Sequence, residues 1–375
     1  MATINKSDME LIVNGASFLA SGGGGWVASA NAVIENVMTF ASEVEIISCS
    51  EVDDTDNLLV VCGVGAPDAP NLDFKNSPGY ALEGLQSMTG DQFKCVLPIE
   101  VGAMNSMIPL LACAQYGIPM LDGDGAGRSV PQMSMCTYAL QNFPVNETLV
   151  VSEEDQQFPL HPSNATELEA QVRQVVSTKL QDAGTVGTWP VSGAQIKSPD
   201  AFVPGSLSLA QSIGTAMATA QPLSAVQSII AQYYSDNAII MSVGTVTAAT
   251  NKVEDGFDVG TITVSDGQGM SVKLYFVNES LLATIDVDGQ PAAFILGPDM
   301  ICSMGVDGSP MTNSEICSQF DKGDTVQISL MWVKAVDAIR TPQMFFKYLE
   351  LLLQKFGQPE LSGYRFIEDA RELFS

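Results

Sequence analysis

Residues 57–64 read NLLVVCGV, an apolar run with no alternation. Side chains on a strand point to its two faces in turn, so a strand of this composition has to be buried on both sides. Only a sheet covered by helices above and below provides that environment. The flanking sequence supplies the helices. Residues 7–20, 26–41, 77–90 and 105–117 carry apolar residues at helical spacing, the first behind Ser7 with Glu10 three positions on and the last closed by Gly117. Further strands are expected at 43–49, 93–100, 118–122 and 147–153, and a further helix at 130–141. Strands alternating with helices predict an α/β fold with a mostly parallel sheet.

A polar stretch at 152–166 predicts a linker, with Thr166 capping a helix over 167–183. The texture then changes. One helical run, 206–221 continuing towards 234, precedes strands broken by Asp-Gly pairs at 255–256, 266–267 and 288–289, the chemistry of hairpin turns. The expected organisation is an α/β N-terminal domain over 1–166 and a β-rich C-terminal domain over 167–339. A late helix, 343–357 within 340–375, is expected to dock back onto the first domain.

Charge narrows the partners. The chain has 16 Lys and Arg against 43 Asp and Glu, a net charge of −27 that repels phosphate backbones and anionic membranes. No nucleic-acid or membrane partner is expected. The apolar stretches SIGTAMATA and LLACAQYGI are too short and too interrupted to span a bilayer. The opening MATINKSDMELIV has no basic segment before an apolar run, so no signal peptide is expected. Seven cysteines without a CxxC pair read as reduced, buried thiols, Cys62 and Cys95 among them, and a cytoplasmic location follows.

Three apolar strands open into polar or Gly-rich loops: VVCGVGAPD (60–68), VLPIEVGAMN (96–105) and IPMLDGDGAGR (118–128). Ligands of open α/β sheets bind at the strand carboxyl ends, so Glu100, Asn105, Asp122, Asp124 and Arg128 are expected on one cleft. In DGDGAGR, two carboxylates can share a metal or divide the roles of base and charged neighbour. Arg128 can hold an oxyanion. The same loop can equally be a turn whose acids are solvated. Gly22, Gly23, Gly24 and Gly25 follow a helix, not a strand, and lack GK[ST]. They read as a loop of backbone donors, or as a close interhelix crossing, and only weakly as a dinucleotide fingerprint. His161 is the single histidine and the remaining metal candidate beside Asp122 and Asp124; its setting, PLHPSN, predicts exposure. Asn278 and Glu279, at the end of KLYFVNE, are candidate ligand contacts or a plain hairpin end. Lys197 is a candidate carboxylate partner or a solvated loop lysine.

Seven ordered stretches resemble the S-methyl-thiohydantoin desulfurase family, also called DUF917: NGASFLASGGGG (14–25), GAP (65–67), IEVGAMNSMIPLLACAQYGIPMLDGDGAGRSVPQM (99–133), DGFDVGTITVSDG (255–267), FVNESLLA (276–283), ILGPDMICSM (295–304) and KGDTVQIS (322–329). The chain departs from the family's usual pattern at Trp26, Ala103 and Gln132. The resemblance implies an α/β domain joined to a β-rich one. It also implies hydrolytic removal of a methylthio group from a small cyclic amide or isothiourea, with Asp122, Asp124, Glu100 and Arg128 as catalytic candidates. A divalent metal such as zinc is a possible cofactor. Either a homo-oligomer or a hydantoinase-like partner is compatible. The alternative is a non-catalytic accessory or binding subunit of a hydantoinase or oxoprolinase system.

Overall fold

The computed structural model describes residues 2–65, 74–234 and 238–368. Among the described residues, ten strands precede residue 205: β1 (Ala2–Asn5), β2 (Glu43–Ile47), β3 (Asn57–Gly65), β4 (Phe93–Leu97), β5 (Met120–Leu121), β6 (Gly123–Asp124), β7 (Thr148–Val151), β8 (Gln157–Leu160), β9 (Ala183–Ser192) and β10 (Val203–Pro204). The first sheet runs β1-β2-β5-β4-β3-β9-β7-β8. Its four central strands β2, β5, β4 and β3 are parallel, while β1 on one side and β9, β7 and β8 in turn on the other are each joined by antiparallel pairing. The sheet is therefore mixed, with the parallel strands at its centre.

The apolar run does what its composition requires. Leu58, Val60 and Cys62 of β3 join the core on one face, and Leu59 and Val61 join the core on the other. Helices α1 (Lys6–Leu19), α2 (Val27–Phe40), α3 (Ser77–Thr89) and α4 (Ala103–Tyr116) contribute to one cover. Helix α5 (Thr137–Leu140) and helix α6 (Ala165–Lys179) contribute to the other, with Trp189 of β9 wholly buried there. Three local expectations shift. The first helix is capped by Asn5, in a reciprocal box with Asp8, not by Ser7. Asn164, not Thr166, caps α6 through the Thr166 and Glu167 amides. The expected helix at 130–141 shrinks to a 3-10 turn at Met133–Met135 and the single turn of α5.

After the short α7 (Gly193–Ile196), helices α8 (Ser206–Met217) and α9 (Pro222–Tyr234) bridge to the second half. Helix α1 crosses α8 so closely that a Cβ on Gly15 would lie 1.8 Å from Ala210 O, and one on Gly214 2.0 Å from Leu11 O. The backbones touch because neither residue has a side chain.

The second sheet contains β11 (Ala238–Glu254), β12 (Phe257–Ser265), β13 (Met270–Val277), β14 (Glu279–Val287), β15 (Gln290–Leu296), β16 (Met300–Gly305), β17 (Gln327–Val333) and β18 (Arg365–Phe366), in the order β16-β17-β11-β12-β13-β14-β15-β18. The Asp-Gly pairs close three of its hairpins. At 255–256 and 288–289 both residues have positive φ, the backbone of a turn that matches strand twist. Helix α10 (Asn313–Asp321) covers one face, and helix α11 (Pro342–Phe356) covers the other. The late helix thus packs on β13, β14 and β15 of the second sheet, although Ala126, Val130 and Met135 of the first half reach the same cluster. Residues 165–192 supply α6 and β9 to the first sheet, where β9 pairs antiparallel with β3. Among the described residues, no helix is long and apolar enough to cross a membrane.

Candidate functional site

The loop after α1 is the seam between the halves. Ser21 exchanges hydrogen bonds with Ile301 through its hydroxyl, and its carbonyl accepts from Ser280 N at 2.8 Å. The Gly22 carbonyl accepts from Asn313 N at 2.8 Å, and the Gly24 carbonyl from Met104 N at 2.9 Å. One five-residue turn is therefore bonded to β14, β16, α10 and α4. Side chains would prevent this. A Cβ on Gly23 would lie 1.9 Å from Glu279 Oε1, and one on Gly24 2.8 Å from Gly102 Cα.

A cleft of about 680 Å³, open solvent at its mouth included, lies on this seam. Gly24, Gly25, Glu100, Asn105, Asn278 and Glu279 form its polar wall. Glu100 follows β4 and comes from the first half; Glu279 opens β14 and comes from the second. Each is almost wholly buried. The Glu100 carboxylate accepts from Val130 N at 2.6 Å and from Asn105 Nδ2 at 2.7 Å. Asn105 is fixed in turn by Gly63, whose N–H donates to Asn105 Oδ1 at 2.8 Å and whose carbonyl accepts from Nδ2 at 3.3 Å. Glu279 Oε1 accepts from Gly24 N at 3.3 Å, while its buried Oε2 has no hydrogen-bond partner among the described residues. Asn278, at φ 55°, presents its Oδ1 to Asp258 N at 2.9 Å and so shapes the turn that delivers Glu279.

Burial dominates the electrostatics. It pushes the Glu100 carboxyl up to about 7, against the pull of the Val130 and Asn105 donors. Burial, reinforced by the charge of Glu100, pushes Glu279 up to about 8. Two acids in one poorly solvated cleft resist ionising together, so near neutrality the pair holds a proton.

The other sequence candidates lie elsewhere. Asp122 caps the start of α8, accepting from Ser208 N at 3.2 Å and Ser208 Oγ at 2.5 Å, and does not line the cleft. Asp124 is fully buried under its own loop, where its oxygens accept from Ala126 N at 3.0 Å and Gly127 N at 2.8 Å. The expected convergence of Glu100, Asp122 and Asp124 on the cleft does not occur: Asp124 turns onto the amides of its own loop and Asp122 onto Ser208 of α8. Arg128 is also fully buried and off the cleft wall. It donates from Nε to Ser129 O at 2.7 Å and from Nη1 to Pro298 O and Asp299 O at 2.6 and 3.0 Å, tying the loop to the second half, and its guanidinium lies 5.2 Å from the centroid of the Tyr348 ring. Its charge favours ionisation of both glutamates. Gly22 and Gly23 stand in the seam and do not line the cleft. Lys197 is exposed and pairs with Asp54 at 2.8 Å. His161 is exposed, with Nδ1 2.9 Å from Asn146 O. The polar tip of the loop at 60–68 falls at 66–68, outside the described residues.

A metal does not fit these positions. Among the described residues, no three His, Cys, Asp or Glu side chains converge as a ligand set. Asp122 and Asp124 are engaged by backbone donors, and His161 lies apart from both. Sequence reading missed Arg173, which lines the cleft from α6 while bonded to Glu169 at 2.7 Å and to the carbonyls of Gly256 and Pro131. Its signal was faint: one basic residue on an apparently solvated helix of an acidic chain.

If Asp124 serves its turn, Asp124→Ala orphans two buried amides, at about 1–3 kcal/mol each. Thermal unfolding should show a clear loss of stability; an unchanged midpoint would reject the capping role.

Fold and cleft define a two-domain α/β protein with a paired-acid site at its domain seam. The chain matches the N-terminal domain model of S-Me-THD-like proteins over residues 7–161 and the C-terminal domain model over 163–344. It belongs to the S-Me-THD-like family. A crystal structure of a protein from Chromobacterium violaceum shares the fold, with a TM-score of 0.78 over 97% of this chain and 99% of that chain at 24% identity. No curated protein matches the chain.

Proposed function

We propose that the protein hydrolyses a small cyclic isothiourea of the S-methyl-thiohydantoin type, releasing methanethiol and leaving the cyclic imide. The observation that carries this reading is the pair of buried acids, Glu100 and Glu279, brought to one cleft from two domains with different hydrogen bonding. Glu100 accepts two hydrogen bonds, which suits its ionised form. Glu279 has an oxygen without a partner among the described residues, which suits a protonated acid able to donate. Paired groups whose environments separate their roles are the usual basis of acid–base catalysis near neutral pH.

In this mechanism water adds to the ring carbon that bears sulfur. A C–O bond forms as Glu100 takes a proton from the water. The C–S bond then breaks, and the departing sulfur takes the proton of Glu279. The added oxygen becomes the new ring carbonyl, losing its second proton to the Glu279 carboxylate. The proton held by Glu100 passes, directly or through solvent, to the ring nitrogen that received the C=N electron pair when water added, and the acids return to their starting state. The sum is one water consumed, one methanethiol released and one C=O gained.

The test is a thiol-release assay on the purified chain with an S-methyl-thiohydantoin, with the imide product identified by mass. Stoichiometric thiol and imide support the reading. Ring binding without release would replace it with the accessory or binding-subunit reading.

A further inference from the structure

Val130, Pro131 and Met133 form one wall of the cleft. Three backbone groups fix that wall. Val130 N donates to Glu100 at 2.6 Å, Met133 N donates to Glu169 Oε2 at 2.7 Å, and the Pro131 carbonyl accepts from Arg173 Nη2 at 3.1 Å. Glu169 and Arg173 stand one turn apart on α6 and are bonded to each other through Oε1 and Nε at 2.7 Å. Arg173 reaches further. Its Nη1 donates at 3.1 Å to the Gly256 carbonyl, in the first hairpin turn of the second sheet, and its guanidinium lies 4.1 Å from the centroid of the Phe257 ring. One side chain thus joins α6, the wall bonded to Glu100 and the second half. A planar guanidinium holds such bonds in fixed directions; a lysine ammonium has no such fork.

We infer that Arg173 is a positioning residue: with Glu169 it holds the 130–133 wall so that the Val130 amide stays on the Glu100 carboxylate and Glu100 is ionised when water is to be activated. The inference rests on the hydrolase reading. Burial disfavours the ionised form of Glu100, and the Val130 N–H and the Arg173 charge both oppose burial. Other groups act on Glu100 too. They are Arg128 and Asp124 of the loop at 122–128, Glu279 of β14, Tyr348 of α11, Cys62 of β3 and Cys136. Burial holds the two thiols and the phenol neutral. Of the two cations, Arg173 is the one that lines the cleft. Losing it leaves the other groups in place, so Glu100 should then ionise at higher pH.

The experiment follows kcat/KM for thiol release from an S-methyl-thiohydantoin against pH, in wild type, Arg173→Met and Arg173→Lys. Beside it, NMR follows the Glu100 carboxyl in protein isotope-labelled at its glutamate side-chain carboxyls, the resonance assigned by its loss in Glu100→Gln. Activity needs Glu100 ionised, so the acid limb of the profile marks its titration. In Arg173→Met the limb and the resonance should both move to higher pH by about one unit, the low end of what a nearby opposite charge does to a carboxylate. Arg173→Lys restores the charge without the fork and should move both by less. It keeps the test decisive if Arg173→Met does not fold. A role in holding the fold alone would lower the melting temperature and leave both midpoints in place. That result in every folded variant overturns the inference while thiol release stands. A raised KM with an unmoved limb would make Arg173 a contact of the ring, and overturns it as well. A wild type that releases no thiol overturns the hydrolase reading and the base role of Glu100 with it.

Discussion

Glu279→Gln should lower the rate of thiol release by about 10²-fold or more, the usual contribution of a positioned acid or base, while the melting temperature holds or rises. The side chain is buried, one of its oxygens has no partner among the described residues, and the charge of Glu100 disfavours its ionisation. A glutamine is the neutral isostere of the protonated acid, and its Oε1 can still accept from Gly24 N. Nothing structural is lost except the transferable proton. Glu100→Gln should behave differently. Val130 N and Asn105 Nδ2 both donate to Glu100, so one end of a glutamine amide must face a donor with its own N–H. That variant should lose activity and also about 1–3 kcal/mol of stability. Activity assays beside melting curves separate the two. Undiminished release in Glu279→Gln removes Glu279 from the acid role. Equal stability losses in both variants would mean that the two acids share one structural job.

The acid pair should also make the folded state less stable as pH rises. Glu100 and Glu279 are raised from an ordinary value of 4.5 to about 7 and about 8. The folded chain therefore binds these protons more tightly than the unfolded chain. Below 4.5 both states are protonated and the contribution is fully present. Above it, unfolding releases protons, so the contribution is lost as pH climbs through the folded values. Each proton held only by the folded state gives a slope of about 1.4 kcal/mol per pH unit. Urea midpoints measured from pH 5 to 8 should fall more steeply for wild type than for Glu100→Gln/Glu279→Gln. Parallel curves would mean that the pair is solvated and not buried together.

Much of this was legible before any coordinates. The unbroken apolar run of β3 required cover on both faces, and the helices that provide it were readable from spacing alone. The Asp-Gly hairpins marked the second sheet. Strand β9 was not legible. It reads AGTVGTWPVS, with no periodicity to mark it, and its partner β3 is more than a hundred residues earlier, so only long-range pairing places it. The site divides in the same way. Glu100, Asn105, Gly24, Gly25, Asn278 and Glu279 were all candidates, because loops at strand ends carry ligands and the family motifs end there. Asp122 and Asp124 were candidates too and lie off the cleft; an acid in a Gly-rich loop reads alike whether it faces a ligand or protein donors. Side-chain direction is decided by tertiary neighbours such as Ser208, which is 86 residues from Asp122.

The turn at 21–25 has a consequence for inheritance. It belongs to the first half by sequence, yet Ser280, Ile301 and Asn313 of the second half hold it, and Gly23 leaves the space that Glu279 Oε1 occupies. Neither half alone lines the cleft, which takes Glu100 from the first and Glu279 from the second. A gene fusion that paired this N-terminal half with a relative's C-terminal half would inherit two sound sheets and a mismatched lock between them. The two halves are therefore bound to change in step, with the four glycines as the fixed point against which each is fitted.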